Sequence, residues 1–128
     1  MNKVVFDASA ILAIVLGERG TEKLTPEILA TAVASTVNLA EVQTKLVRAG
    51  HPPEMAWEDA LAWISEVEPY TAEQAKIAGT LVLQTQDRGL SLGDRSCLAL
   101  AIALGAPVYT TEQIWRNLNV GIPIHVLR

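Results

Sequence analysis

Short strand-type runs alternate with helix-patterned segments along almost the whole chain, and this alternation constrains the fold more than any other feature. Lys3 to Asp7 is a β-rich run leading directly into a helical stretch, Ala8 to Leu16, that breaks at Gly17. Glu22 to Leu29 carries a second helical pattern with Pro26 near a turn boundary, and Thr31 to Ser35 reads as a strand. Thr36 is the expected N-cap of Val37 to Ala49, where Leu39, Val42, Leu46 and Ala49 recur at helical spacing before Gly50, Pro52 and Pro53 close the segment. Glu54 to Ile64 predicts a further helix carrying Trp57 and Trp63. Glu66 to Tyr70 is a brief strand that Pro69 confines to an edge or an end. Ala72 to Gln86 reads as helix and Asp87-Arg88-Gly89 as a turn; Gly93-Asp94 then opens an apolar helix that stops at Gly105. Val108 to Thr110 and Ile122 to Leu127 are the last strands, separated by a turn or short helix from Glu112 to Arg116.

Strands joined through helices pair in parallel, because a parallel pair needs a crossover connection whereas an antiparallel pair can be closed by a hairpin. The expectation is an α/β fold: a parallel sheet of four to five strands with helices on both faces, in a single domain over residues 1–128. A chain of 128 residues is long enough to bury about two-thirds of its unfolded surface. Half of its residues are apolar, as a globular core requires.

Cysteine and histidine exclude several chemistries. Cys97 is the single cysteine and sits in the apolar run Cys97-Leu98-Ala99-Leu100-Ala101-Ile102, so it reads as packing on a buried helix face. His51 and His125 stand far apart, and no cysteine–histidine cluster for zinc exists. Met1-Asn2-Lys3 brings no basic leader, and Ala8 to Leu16 is too short to span a bilayer, so a reducing, cytoplasmic setting without membrane contact is expected. The net charge of −4 argues against binding nucleic acid through bulk electrostatics. A carboxylate cluster loaded with divalent cations would reconcile an acidic chain with a polyanionic substrate, since the metal inverts the sign of the site.

Four carboxylates suit such a cluster. Open α/β sheets bind ligands at the carboxyl ends of their strands. Asp7 ends the first strand and Glu112 follows the strand Val108 to Thr110 by two residues, while Glu41 and Asp94 lie early in helices that could begin on the same edge. Two carboxylates about 4 Å apart repel by roughly 4 kcal/mol at an effective dielectric near 20. A converged group therefore calls for a hard cation such as magnesium or manganese.

The segments Val4-Val5-Phe6-Asp7-Ala8-Ser9-Ala10, Ser35-Thr36-Val37-Asn38-Leu39-Ala40-Glu41 and Leu90-Ser91-Leu92-Gly93-Asp94-Arg95-Ser96-Cys97 closely resemble the acidic motifs of PIN domains. The segment Val108-Tyr109-Thr110-Thr111-Glu112-Gln113-Ile114-Trp115 falls where that family has Thr-x-Asp. Together the motifs span nearly the whole chain, at the length of the toxin branch called VapC. The resemblance implies a PIN-like parallel sheet between helices, with Asp7, Glu41 and Asp94 binding Mg2+ or Mn2+ for RNA hydrolysis. It also implies products with 5′-phosphate and 3′-hydroxyl ends. Glu112 replaces the usual aspartate with one more methylene, which leaves open ligation, action through water, or a single-metal site; Thr110 offers a supporting hydroxyl. The resemblance further implies a homodimer and an antitoxin partner inserting peptide near the acidic site, with a dimer contact as one reading of Trp57 and Trp63 and ordinary packing as the other.

Each residue also has a plainer reading. Asp7 can cap a helix together with Ser9, Asp94 can complement a helix dipole, and Glu112 can be a surface turn residue. Glu41 can pair with Lys45 at i,i+4. With Arg48 three residues further on, that face instead suggests a metal ligand beside two RNA phosphate contacts. A haloacid-dehalogenase-type phosphotransferase needs a second aspartate where Ser9 stands, and a receiver domain needs a late lysine that is not evident. The alternative that remains is a non-catalytic RNA-binding or interaction module on the same fold.

Overall fold

The computed structural model describes residues 2–128. It contains β1 (Val4–Phe6), α1 (Ala8–Leu16), α2 (Pro26–Ala30), β2 (Ala32–Ser35), α3 (Thr36–Arg48), α4 (Pro53–Leu61), β3 (Glu66–Glu68), α5 (Ala72–Thr80), α6 (Val82–Thr85), α7 (Leu92–Leu104), β4 (Val108–Thr110) and β5 (Ile124–Val126). Three 3-10 turns lie at Thr21–Lys23, Gln86–Arg88 and Gln113–Trp115. The five strands form one sheet in the order β3-β2-β1-β4-β5, and every neighbouring pair is parallel. The sheet reaches the upper end of the expected strand count.

Alternation along the strands divides the core between the two faces. Val33, Val5, Val108 and Ile124 are in register across four strands. They pack with Leu98, Leu100 and Ala101 of α7 and with Ile77 of α5. The residues on either side of Val5 and Val33 face the other way: Phe6, Ala32 and Ala34 pack with Ile11 of α1 and with Leu39, Val42 and Leu46 of α3. A strand that is buried on both sides reads as a continuous apolar run, as Val4-Val5-Phe6 does. Each fully buried Leu or Val contributes roughly 1.5–3 kcal/mol.

Several boundaries differ from expectation. The helix expected over Glu22 to Leu29 is a 3-10 turn followed by α2, because Thr25 accepts from the Ile28 amide and Pro26 takes the first helical position. Ser35, not Thr36, caps α3: its hydroxyl accepts from the Val37 amide at 3.1 Å. Ala72 to Gln86 is not one helix but breaks at Leu81. Gly79 and Thr80 are poor helix formers, and the Thr85 hydroxyl bonds back to the Leu81 carbonyl. α4 ends at Leu61, so Trp63 lies beyond the helix and is 46 % exposed, whereas Trp57 is half-buried against the α1–α3–α4 core. Cys97 is fully buried, as its apolar setting predicts. Among the described residues no helix is long and apolar enough to cross a membrane.

Candidate functional site

The strand order reverses between β1 and β4: the chain builds outward from β1 to β2 and β3, then returns to lay β4 against the other edge of β1. Two adjacent parallel strands whose connections leave in opposite directions open a crevice at their carboxyl ends. Asp7 follows β1 directly, and Thr110 is the last residue of β4.

Asp7 is 2 % exposed and is the N-cap of α1. Its Oδ1 accepts from the Ala10 amide at 2.8 Å, and its Oδ2 accepts from Thr110 Oγ1 at 2.6 Å. Ser9 Oγ lies 2.8 and 2.9 Å from the two carboxylate oxygens and accepts from the Thr111 amide at 2.9 Å. Asp7 is therefore a capping residue and the centre of a hydroxyl network at once. Burial pushes its carboxyl up to about 7, against the lowering effect of the bonds from Thr110, Ala10 and Ser9, and the charge of Asp94 adds to the rise. Among the described residues no cation pairs with it.

Glu41 approaches from α3. Asn38 Nδ2 donates to Glu41 Oε1 at 2.7 Å and to the Gly93 carbonyl at 3.1 Å, which ties α3 to the first turn of α7. Asp94 stands at the third position of α7 in a reciprocal cap: its Oδ2 accepts from the Ser91 amide at 2.9 Å, and its own amide donates to Ser91 Oγ at 3.1 Å. The three carboxylates come from positions 7, 41 and 94, yet all act on one point. The buried Cys97 thiol is pushed well up by its burial and then by the charges of Asp7, Asp94 and Glu41.

Glu112 behaves differently. Its side chain is exposed, and what joins it to the network is its main-chain amide, which donates to Thr110 Oγ1 at 3.0 Å. It is not among the charges acting on Cys97. Lys45 and Arg48 are exposed on α3 and line, with Glu41, Val37, Ala40 and Thr44, a cleft of about 500 Å³. Arg95, by contrast, turns toward α5 and donates to the Ala78 carbonyl at 2.8 Å. Asn38 and Gly93 were not singled out by sequence reasoning, although both lie inside the acidic motifs.

Oxygen-only donors and a buried carboxylate that feels the charge of Asp94 and has no counter-ion among the described residues fit a hard divalent cation. Among the described residues no three of the acidic groups already close a single ligand shell. Asp7, Glu41 and Asp94 are the residues that would hold it.

An α/β sheet with an acidic crevice at its topological switch defines the class to which this protein belongs. Residues 4–120 match the family model of the PIN domain, and the chain belongs to that family. A search of curated proteins gives no match. Among solved structures, the chain is similar to one in the VapBC2 complex from Rickettsia felis bound to a fragment of promoter DNA, with a TM-score of 0.76 and 17% identity over 98% of both chains. It is similar to a chain of DNA-bound VapBC from Salmonella typhimurium at a TM-score of 0.75 and 19% identity, covering 100% of each. A Mycobacterium tuberculosis VapC toxin that cleaves the sarcin–ricin loop superposes at a TM-score of 0.70 and 19% identity, over 94% of this chain and 99% of that one. At these identities the likeness is one of fold.

Proposed function

We propose that this protein is a magnesium- or manganese-dependent ribonuclease that hydrolyses RNA phosphodiester bonds, acting as the toxin of a toxin–antitoxin pair. The observation that carries this reading is the buried Asp7 carboxylate at the switch of a PIN-domain sheet, without a cationic partner among the described residues, while Asn38 ties Glu41 to the start of α7 that carries Asp94. A bound divalent ion supplies a lowered pKa for its water and offsets charge developing on the phosphoryl group. The chain's own residues do the rest. Asp7 brings a carboxylate whose burial makes it gain from a positive neighbour, and Ser9 and Thr110 hold that carboxylate in one orientation. Lys45 and Arg48 line the cleft next to Glu41 and offer cations to RNA phosphates.

The antitoxin reading draws on the VapBC complexes whose chains share this fold. An antitoxin peptide inserting near the acidic site would block the same cleft, and a homodimer would be the working unit. Purified protein is expected to cleave RNA with Mg2+ or Mn2+, to stop when chelator is added, and to lose activity at least 100-fold in Asp7→Asn. Cleavage that persists in chelator, or in that variant, overturns the assignment. Tight RNA binding without cleavage under any metal would instead favour the non-catalytic module.

A further inference from the structure

Of the three carboxylates, Glu41 alone is held by no helix cap. Asp7 caps α1, and Asp94 belongs to the box that opens α7. A glutamate on the second turn of a helix has three side-chain torsions and would ordinarily sample several rotamers. Here two neighbours restrict it. On one side Asn38, one turn earlier and 1 % exposed, uses both amide hydrogens: one goes to Glu41 Oε1 at 2.7 Å and one to the Gly93 carbonyl at 3.1 Å. The reverse orientation of that amide would set its oxygen against two acceptors, so chemistry fixes which way it points. On the other side is Gly93, buried in the first turn of α7, where an added Cβ would overlap the Glu41 carboxylate. Its backbone lies outside the left-handed region, so glycine is there for space rather than for its torsion angles.

The arrangement has a cost that points to a role. Asn38 Oδ1 is buried without a partner among the described residues, and an unpaired buried acceptor lowers stability. A leucine of similar size would fill the same volume without it. We infer that Asn38 and Gly93 are positioning residues that seat the Glu41 carboxylate against the start of α7, ready for a divalent cation. The inference rests on the metal-site reading given above.

Titration of the full chain with Mn2+, followed by calorimetry, separates the two ideas. The parent is expected to bind Mn2+, and Asn38→Leu and Gly93→Ala are each expected to bind it about 10-fold more weakly or worse, as loss of a supporting hydrogen bond to a ligand typically does. Thermal unfolding supplies the readout that a merely structural role would move: Asn38→Leu should melt within a few degrees of the parent or above it. The double variant should be little worse than the weaker single one, because either change alone unseats the same carboxylate. Undiminished Mn2+ affinity in both singles, full additivity in the double variant, or weakening that tracks lost thermal stability overturns the positioning role while leaving the metal site intact. A parent that binds no Mn2+ overturns both. If Asn38→Leu fails to fold, Gly93→Ala carries the same expectation alone, since its methyl sits in a helix that favours alanine.

Discussion

Asp7 joins two uses of one side chain. An aspartate ahead of Ala8-Ser9-Ala10 caps a helix, and the same carboxylate, closed in by Thr110 from a strand 103 residues away, is left buried with no positive partner among the described residues. Its carboxyl titrates near 7 in the fold against 3.8 in an open chain, so between these values the native state holds a proton that the unfolded chain has lost. In chelator, then, stability from this group is fully present below about pH 4 and falls as pH rises through 7. Asp7→Asn keeps the cap and removes the titration. The metal-free variant should melt roughly 3 °C or more above the parent at pH 8, on the scale at which ~1 kcal/mol shifts a domain of this size, and the gap should close at pH 4. A gap that stays constant across that range would place the penalty elsewhere. Asp7, Glu41 and Asp94 were all legible as residues because acidic side chains at strand ends and helix starts stand out. Asn38 was not, since nothing in Thr36-Val37-Asn38-Leu39 distinguishes an amide that reaches Gly93, 55 residues on, from one that faces water.

At the scale of elements, α3 does two jobs with different faces. Leu39, Val42 and Leu46 are buried against the sheet, while Glu41, Lys45 and Arg48 line the open cleft. If the cations contact RNA, replacing both by alanine removes about two phosphate contacts. For a single strand the slope of log affinity against log salt then becomes shallower by about 1.4. Filter binding between 50 and 300 mM salt in the presence of Mn2+ would show it; parallel lines for parent and variant would reject the contact. Periodicity located α1, α3 and α7 well because each has a buried stripe and a cap or breaker at its ends. It failed over Ala72 to Gln86, where Gly79-Thr80 sits inside an otherwise helical pattern and a buried threonine hydroxyl takes a backbone carbonyl. It also placed Trp63 in a helix that ends two residues earlier.

Across the whole molecule, the carboxyl end of the chain closes back on its beginning. Leu127 donates its amide to the Thr110 carbonyl at 2.8 Å and buries its side chain with Phe6, Ile11 and Leu24. Arg128 reaches the Arg19 carbonyl at 3.1 Å and Glu18 at 3.2 Å. Gly20 sits beneath this contact with φ of +102°, and a Cβ there would come within 2.7 Å of the Leu127 carbonyl oxygen. Gly20→Ala should therefore cost about 1–3 kcal/mol, seen as a lower denaturation midpoint with an unchanged slope. An unchanged midpoint would mean that the chain end is free to move away.

The sequence by itself determined the class of fold, because strand and helix periods alternate and parallel pairing follows from the crossovers between them. It also determined the chemistry on offer: carboxylates, hydroxyls and two cations on one helix, with no thiol or imidazole cluster. Tertiary structure alone decided which of these meet. Strand order set Asp7 beside Thr110 rather than beside β3; the packing of α3 on α7 brought Glu41 to Gly93; and the exposed turn after β4 left the Glu112 carboxylate outside the charges that act on Cys97. Local sequence sets the torsions and faces of single elements, but contacts between residues 50 to 100 positions apart depend on which faces share a core.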